Sequence, residues 1–244
     1  MRLLTTNYKL DKDNVLGKVT NMGLSLAPHK QSGYNVCPDA GACTEVCVLW
    51  FRGMTRMNTV KNAMIRRTHQ FFQNKKGFLE DLHHDLALLA KKKQPHCRLN
   101  VASDLPWEKI DPSLFNYPIT FYDYTKSVDR AKAYVRGKFP DNYHLCYSFS
   151  EKSSKRDVNY LLSASGMVAF VLNVPYNPPH YIGEVPQQLT VASKVWETID
   201  GDKSDIRTPL AGNSGKAICL RAKMNIGQSS EYIDKGFVVR GNKI

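Results

Sequence analysis

The sequence has no run of about 18 apolar residues, the length a helix needs to cross a bilayer. Its opening stretch, MRLLTTNYKLDKDN, has no apolar segment of the kind that makes a secretory leader, so the expectation is an intracellular protein with reduced thiols. There is no P-loop, no glycine-rich dinucleotide fingerprint and no Ser-His-Asp order. Heptads, short repeats and low-complexity tracts are also absent. These absences set aside a membrane span, a coiled coil and the usual nucleotide-binding loops.

Cysteine is sparse but unevenly placed. Of six cysteines in 244 residues, Cys37, Cys43 and Cys47 fall within the eleven-residue stretch CPDAGACTEVC, while Cys97, Cys146 and Cys219 are scattered. Three is an incomplete set for a structural zinc site, which takes four Cys or His ligands. It is a sufficient set for an iron–sulfur cluster, which thiolates hold at irregular spacings. Cys43 and Cys47 are four apart, so one helical turn puts them on the same side. The turn-forming residues between Cys37 and Cys43 allow the first thiol to fold back. The expectation is a 4Fe–4S cluster on Cys37, Cys43 and Cys47, with zinc completed by His29 as the alternative; three reduced thiols without metal are the plain reading.

Basic residues outnumber acidic ones, 34 to 22, for a formal net charge of +12. That excess suits an anionic partner, a nucleotide or nucleic acid, although a solvated basic surface would read the same way.

Six strand-like runs alternate with helical or loop segments: 23–29, 97–104, 119–127, 143–151, 167–174 and 216–223. Such alternation predicts a mostly parallel α/β sheet. Without a dinucleotide loop, it is read as a TIM-like full or partial barrel, a single domain over residues 1–244, with the cysteine loop after the first strand. Helices are expected from Thr59 to Gln73 and from Phe78 to Leu89, the latter with Leu79, Leu82, Leu86 and Leu89 at helical spacing. The Lys91–Lys93 run then suits the negative end of the helix dipole. His83 and His84 read as a solvated face, and a loop at Pro175, Pro178 and Pro179 as a lid.

Strand parity groups Asn100, Ala102 and Asp104 on one face, Tyr122, Tyr124 and Lys126 on another, and Cys146, Ser148 and Ser150 on a third. Cys97 goes with Leu99 and Val101, a core position. Active sites of barrels lie at the C-terminal strand ends, which makes Asp104, Tyr124, Lys126, Ser148 and Glu151 the candidate catalytic and ligand-contacting residues. In DGDKSDIR, Asp200, Asp202 and Asp205 are close enough to suggest a hard cation. A structural role, with Asp202 or Asp205 capping a helix or pairing with Arg207, is the stronger expectation.

A three-Cys loop after a first strand resembles the layout of the radical S-adenosylmethionine enzymes. That resemblance implies an open iron that binds S-adenosylmethionine, with Asp104 of Ala102-Ser103-Asp104 in the place of the amino-group motif. The cysteine spacing here is five and three residues, against three and two in that superfamily. GYNVCPDAGACTEVC, VASDLPW (101–107), TFYDYTKS (120–127) and ETIDGDKSDIR (197–207) more closely resemble the phage gene product 88 family, in the same order along most of the chain. The resemblance implies a phage protein acting in the host cytoplasm, with a barrel-like domain and no settled reaction. The combined expectation is a radical S-adenosylmethionine-like enzyme acting on a nucleotide or nucleic acid. The alternative is a metal-containing binding protein for nucleic acid or a host protein.

Overall fold

The computed structural model describes residues 1–14, 19–51, 57–174, 183–223 and 231–244. The Pro175, Pro178 and Pro179 loop lies outside the described residues. In chain order the elements are β1 (Leu4–Thr5), α1 (Tyr8–Asn14), β2 (Thr20–Leu24), α2 (Val48–Phe51), α3 (Asn58–Gln73), α4 (Lys75–Leu89), β3 (Pro95–Arg98) and α5 (Trp107–Ile110). There follow β4 (Thr120–Thr125), α6 (Val128–Val135), β5 (Tyr143–Ser148), α7 (Lys155–Ser163), β6 (Met167–Leu172), β7 (Gln188–Val191), β8 (Lys194–Asp200), β9 (Ala217–Arg221) and β10 (Val238–Val239).

The strand order is β1-β2-β3-β4-β5-β6-β9-β8-β7, with β10 also on β6. Pairings β2–β3, β3–β4, β5–β6, β6–β9 and β8–β9 are parallel, while β1–β2 and β7–β8 are antiparallel. The mostly parallel α/β reading therefore holds, but the expected barrel is replaced by an open order that begins at β1 and ends at β7 among the described strands. The cysteine loop follows β2 rather than the first strand, because the two-residue β1 precedes it.

Two compact units emerge, each made of three chain segments. The first comprises Met1–Ala40, Cys47–Asp123 and Phe139–His144; the second comprises Gly41–Val46, Tyr124–Lys138 and Leu145–Ile244.

In the first unit, α3 buries Met64, Thr68 and Phe71, and α4 buries Phe78, Leu82, Leu86 and Leu89; of the leucine series that predicts α4, Leu79 is only half-buried. Phe71 meets Phe78 and Trp107 edge to face, with centroids 5.2 and 5.5 Å away, and Phe115 stacks on Tyr143 at 4.5 Å. Strand β3 ends at Arg98, so residues 99–104 form a turn rather than the expected strand.

That turn is organised by Asn100. Its backbone N–H donates to Asp123 Oδ1 at 2.7 Å, and its Nδ2 donates to Asp123 Oδ2 at 3.2 Å and to the Leu105 carbonyl at 2.9 Å. Its Oδ1 accepts from Ser103 Oγ, the Leu105 N–H and Trp107 Nε1, at 2.8, 2.9 and 3.2 Å. Tyr143 OH completes the group by donating to Asp123 Oδ2 at 2.9 Å. Burial makes each of these polar groups costly unless it is paired.

The second unit has apolar residues on both faces of its strands. One cluster holds Tyr147, Phe149, Val168, Phe170, Leu172, Ala217 and Cys219, with Val158, Leu161 and Leu162 of α7. The alternate residues Cys146, Met167, Ala169 and Ile218 form a second cluster, with Tyr124 packed against it. The face that strand parity gives to Cys146, Ser148 and Ser150 is thus apolar around Cys146.

Asn100→Ala removes the acceptor shared by Ser103, Leu105 and Trp107. It should cost about 3 kcal/mol of unfolding free energy in a urea titration, whereas Lys91→Ala, at an exposed position, should leave the midpoint unchanged.

Candidate functional site

The cysteine segment begins with a closed loop in the first unit. His29 has a left-handed backbone (φ 50°), and its N–H donates to Cys37 Sγ at 3.3 Å, while its carbonyl accepts the Val36 N–H at 3.2 Å. His29 therefore reaches Cys37 through its main chain. Cys37 Sγ also lies 3.6 Å from the Ala102 carbonyl oxygen. Asp104, 9% exposed, donates its N–H to the Val36 carbonyl at 2.8 Å, which ties the turn after β3 to the residue before Cys37. Cys47 packs against a small cluster of Ala27, Trp50, Met64 and Ala102.

In the second unit, Cys43 sits in a short 3-10 turn, Ala42–Thr44, beside a cluster of Ala222, Tyr232, Phe237 and Val238. Glu151 holds this turn: its Oε1 accepts the Ala42 N–H at 3.0 Å. A side chain on Gly41 would collide with that same carboxylate oxygen. Lys126 lies over the Phe237 ring, 5.2 Å from its centroid, and donates to Ser148 Oγ at 3.2 Å. The structure thus brings Lys126 and Ser148 together, with Cys43 and Lys126 both against the Phe237 cluster.

Tyr124 is engaged elsewhere, its hydroxyl accepting from Arg207 Nε at 2.6 Å. Arg207 is only 1% exposed and also donates to the carbonyls of Gly201, Ser204 and Ile206. Burial works against its charge, but Tyr124 and Asp205 beside it hold its pKa above the ordinary arginine value. Gly201 makes room for it, since a Cβ there would stand 2.6 Å from Ile218 and 3.0 Å from the guanidinium.

Two carboxylates of DGDKSDIR are paired with cations. Asp200 makes a two-pronged pair with Arg221, at 2.8 and 3.0 Å, and Asp202 meets Arg221 at 3.3 Å and Lys223 at 3.0 Å. Among the described residues, no group of three or more His, Cys, Asp or Glu side chains is arranged to hold a metal ion.

Sequence reasoning missed three features. Asn100 was placed on a strand face with Ala102 and Asp104, but it is the hub of a buried network. Spacing in the sequence makes Arg207 a partner for a nearby aspartate, whereas in the structure it is a buried donor to the Tyr124 hydroxyl. His83, taken for a solvated residue, lies 3.0 Å from Asp111 Oδ2 and 3.1 Å from Tyr117 OH. Pro112 and Ser113, beside Asp111, were the available signal for a capped turn there.

The six cysteines divide by environment, and none is in a disulfide. Cys37, Cys43 and Cys47 are half-buried, whereas Cys97, Cys146 and Cys219 are buried. Burial, together with the charges of Asp123 and Asp85, pushes the Cys97 thiol well above its ordinary pKa; burial and Asp200 push Cys219 up to about 12. The thiolate form, which reactivity and metal binding require, is therefore disfavoured at Cys97 and Cys219.

Two outcomes follow. Alkylation of the native protein, read by mass spectrometry, should label Cys37, Cys43 and Cys47 well before the other three, and Glu151→Ala should speed labelling of Cys43 relative to Cys37 several-fold. The Cys97 and Cys219 thiols also keep their protons when folded but lose them when unfolded as pH rises past about 8.5. Unfolding free energy should therefore decline from that pH upward, and the decline should be shallower in Cys97→Ala/Cys219→Ala.

The family model described as Gene product 88 matches residues 1–241. No curated protein and no solved structure matches the chain. The chain belongs to the Gene product 88 family.

Proposed function

We propose that this member of the phage Gene product 88 family is an iron–sulfur protein of the host cytoplasm. Its 4Fe–4S cluster would be held by Cys37, Cys43 and Cys47, and it would act as a radical S-adenosylmethionine-like enzyme on a nucleotide or nucleic acid. The observation that carries this reading is the division of the cysteines. The three half-buried thiols are the three that share one eleven-residue stretch, and the other three are buried. The donor set fits the group by chemistry: three thiols outside disulfides, one of them already accepting a backbone N–H as cluster sulfurs do.

A cluster with three protein ligands supplies one iron with an open position for S-adenosylmethionine or substrate. The chain's own residues would do the rest. Glu151 fixes the turn that carries Cys43. Lys126, oriented by Ser148 and the Phe237 ring, offers a cation to a carboxylate or phosphate. Tyr124 has its hydroxyl oriented by Arg207, and Asp104 is anchored by its backbone next to Val36; both remain candidates for ligand contact.

The second reading is a non-enzymatic, metal-containing binding protein for nucleic acid or a host protein. The net charge of +12 favours it. Zinc with His29 as fourth ligand belongs to this reading, and would need the ring as well as the backbone of His29 to face Cys37.

Purification without oxygen, with iron, sulfide and zinc measured, tests both readings. Iron and acid-labile sulfide are expected in roughly equal amounts, about four of each per chain, and Cys43→Ala should lose them. Stoichiometric zinc without iron would overturn the cluster. If a cluster is present, S-adenosylmethionine should change the electron spin resonance signal of the reduced protein; an unchanged signal sinks the radical-enzyme reading in favour of the binding one.

A further inference from the structure

Between the end of α6 and the first turn of α7, within the second unit, lies an open cavity of about 490 Å³. It is lined by Lys132, Arg136, Ser154, Arg156, Asp157 and Tyr160. Three of these six side chains are cationic and one is anionic. The carboxylate is taken: Asp157 pairs with Lys132 at 2.7 Å, which is the main cause of its lowered pKa. Arg136 and Arg156 are left as the excess charge, and both are exposed.

The remaining lining supports the same ligand. Tyr160 is 38% exposed, and the Arg136 guanidinium stands 5.7 Å from its ring centroid, with Nε donating to Tyr160 OH at 3.2 Å. Arg136 is thereby held at the rim by a neutral partner that leaves its charge uncompensated. Ser154 caps α7 by accepting the Asp157 N–H at 3.0 Å. That end of a helix favours negative charge, yet Lys155 and Arg156 occupy its first two positions. Like charges gathered there raise the free energy of the empty cavity and lower it when an anion arrives.

We propose that this cavity binds a single nucleic-acid strand, with phosphates on Arg136 and Arg156 and the exposed Tyr160 ring available to a base. Cations that follow a backbone beside an exposed aromatic ring are the combination by which single strands are held without sequence preference. The openness of the cavity suits a continuous strand rather than an enclosed mononucleotide. The inference rests on these residues alone and does not depend on the cluster.

Fluorescence anisotropy with a labelled strand of about 20 nucleotides, from about 50 to 200 mM salt, tests it. Arg136→Gln/Arg156→Gln should weaken binding at least tenfold at low salt. It should also flatten the slope of log affinity against log salt by about 1.4, or about 0.7 for each lost phosphate contact. Lys91→Gln/Lys92→Gln removes two charges from the end of α4 and should change affinity less than twofold. Both variants should retain the far-ultraviolet circular dichroism and the iron content of the unsubstituted protein, which separates this test from that of the cluster. Arg156→Glu alone should weaken binding further than Arg156→Gln. Equal losses in the two double variants, no loss in the first, tighter binding of a duplex, or displacement of the strand by stoichiometric mononucleotide would each overturn the proposal.

Discussion

A carboxylate with no exposure to water must be surrounded by donors, and Asp123 meets that requirement in a way that orders much of the first unit. Its donors come from the turn after β3 and from the start of β5: the Asn100 backbone and side chain, and Tyr143 OH. Satisfying Asp123 fixes Asn100, and Asn100 in turn fixes Ser103, Leu105 and Trp107. The turn so fixed carries Asp104, whose N–H holds Val36. Cys37 is therefore three links from a buried charge, and its position is inherited from the core. The same charge also acts on Cys97, adding to the effect of burial that keeps this thiol protonated.

The second unit relies on a different device. Two of its buried arginines, Arg207 and Arg221, draw most of their acceptors from residues 200–206. Arg207 takes carbonyls of residues 201–206 together with Tyr124, and Arg221 takes Asp200 and Asp202. A planar guanidinium with five donors can organise an irregular loop in place of a helix or strand. This accounts for the chemistry of DGDKSDIR. Its aspartates are spaced for cations, but the cations are side chains of the same unit.

The legible part of the sequence was its local periodicity. All six strand runs contain or overlap strands, and the helical spacing of Leu82, Leu86 and Leu89 marks the buried face of α4, with Leu79 of the same series only half-buried. The alternation at Cys146 and Tyr147 distinguished two faces, although the Cys146 face carries an apolar cluster rather than the polar row that Ser148 and Ser150 suggested. What was illegible depended on partners far along the chain. Nothing near Lys194–Asp200 announces an antiparallel mate in Gln188–Val191 on one edge and a parallel mate in β9 on the other. An extended parity for residues 97–104 could not anticipate that Asn100 would leave the strand to serve Asp123. Whether a repeating α/β grammar closes into a barrel is decided by the edge strands, and here the edges are a two-residue strand and a hairpin. Of the candidate residues, Lys126 and Ser148 were legible as strand-end residues, and they meet where β4 and β5 are neighbours in the strand order.

The discontinuous make-up of the second unit has a consequence for the newly made chain. Residues 41–46 belong to that unit, but the cluster against Cys43 is completed by Tyr232, Phe237 and Val238 near the other end of the sequence. At ordinary ribosomal rates, about 10 to 40 s separate the synthesis of Cys43 from that of Phe237. Throughout this interval the thiol has no native packing to shield it, and any chemistry that must reach Cys43 before it is enclosed has that window in which to act. Neither unit can be made as one uninterrupted fragment, so this order of events is inseparable from translation of the whole chain.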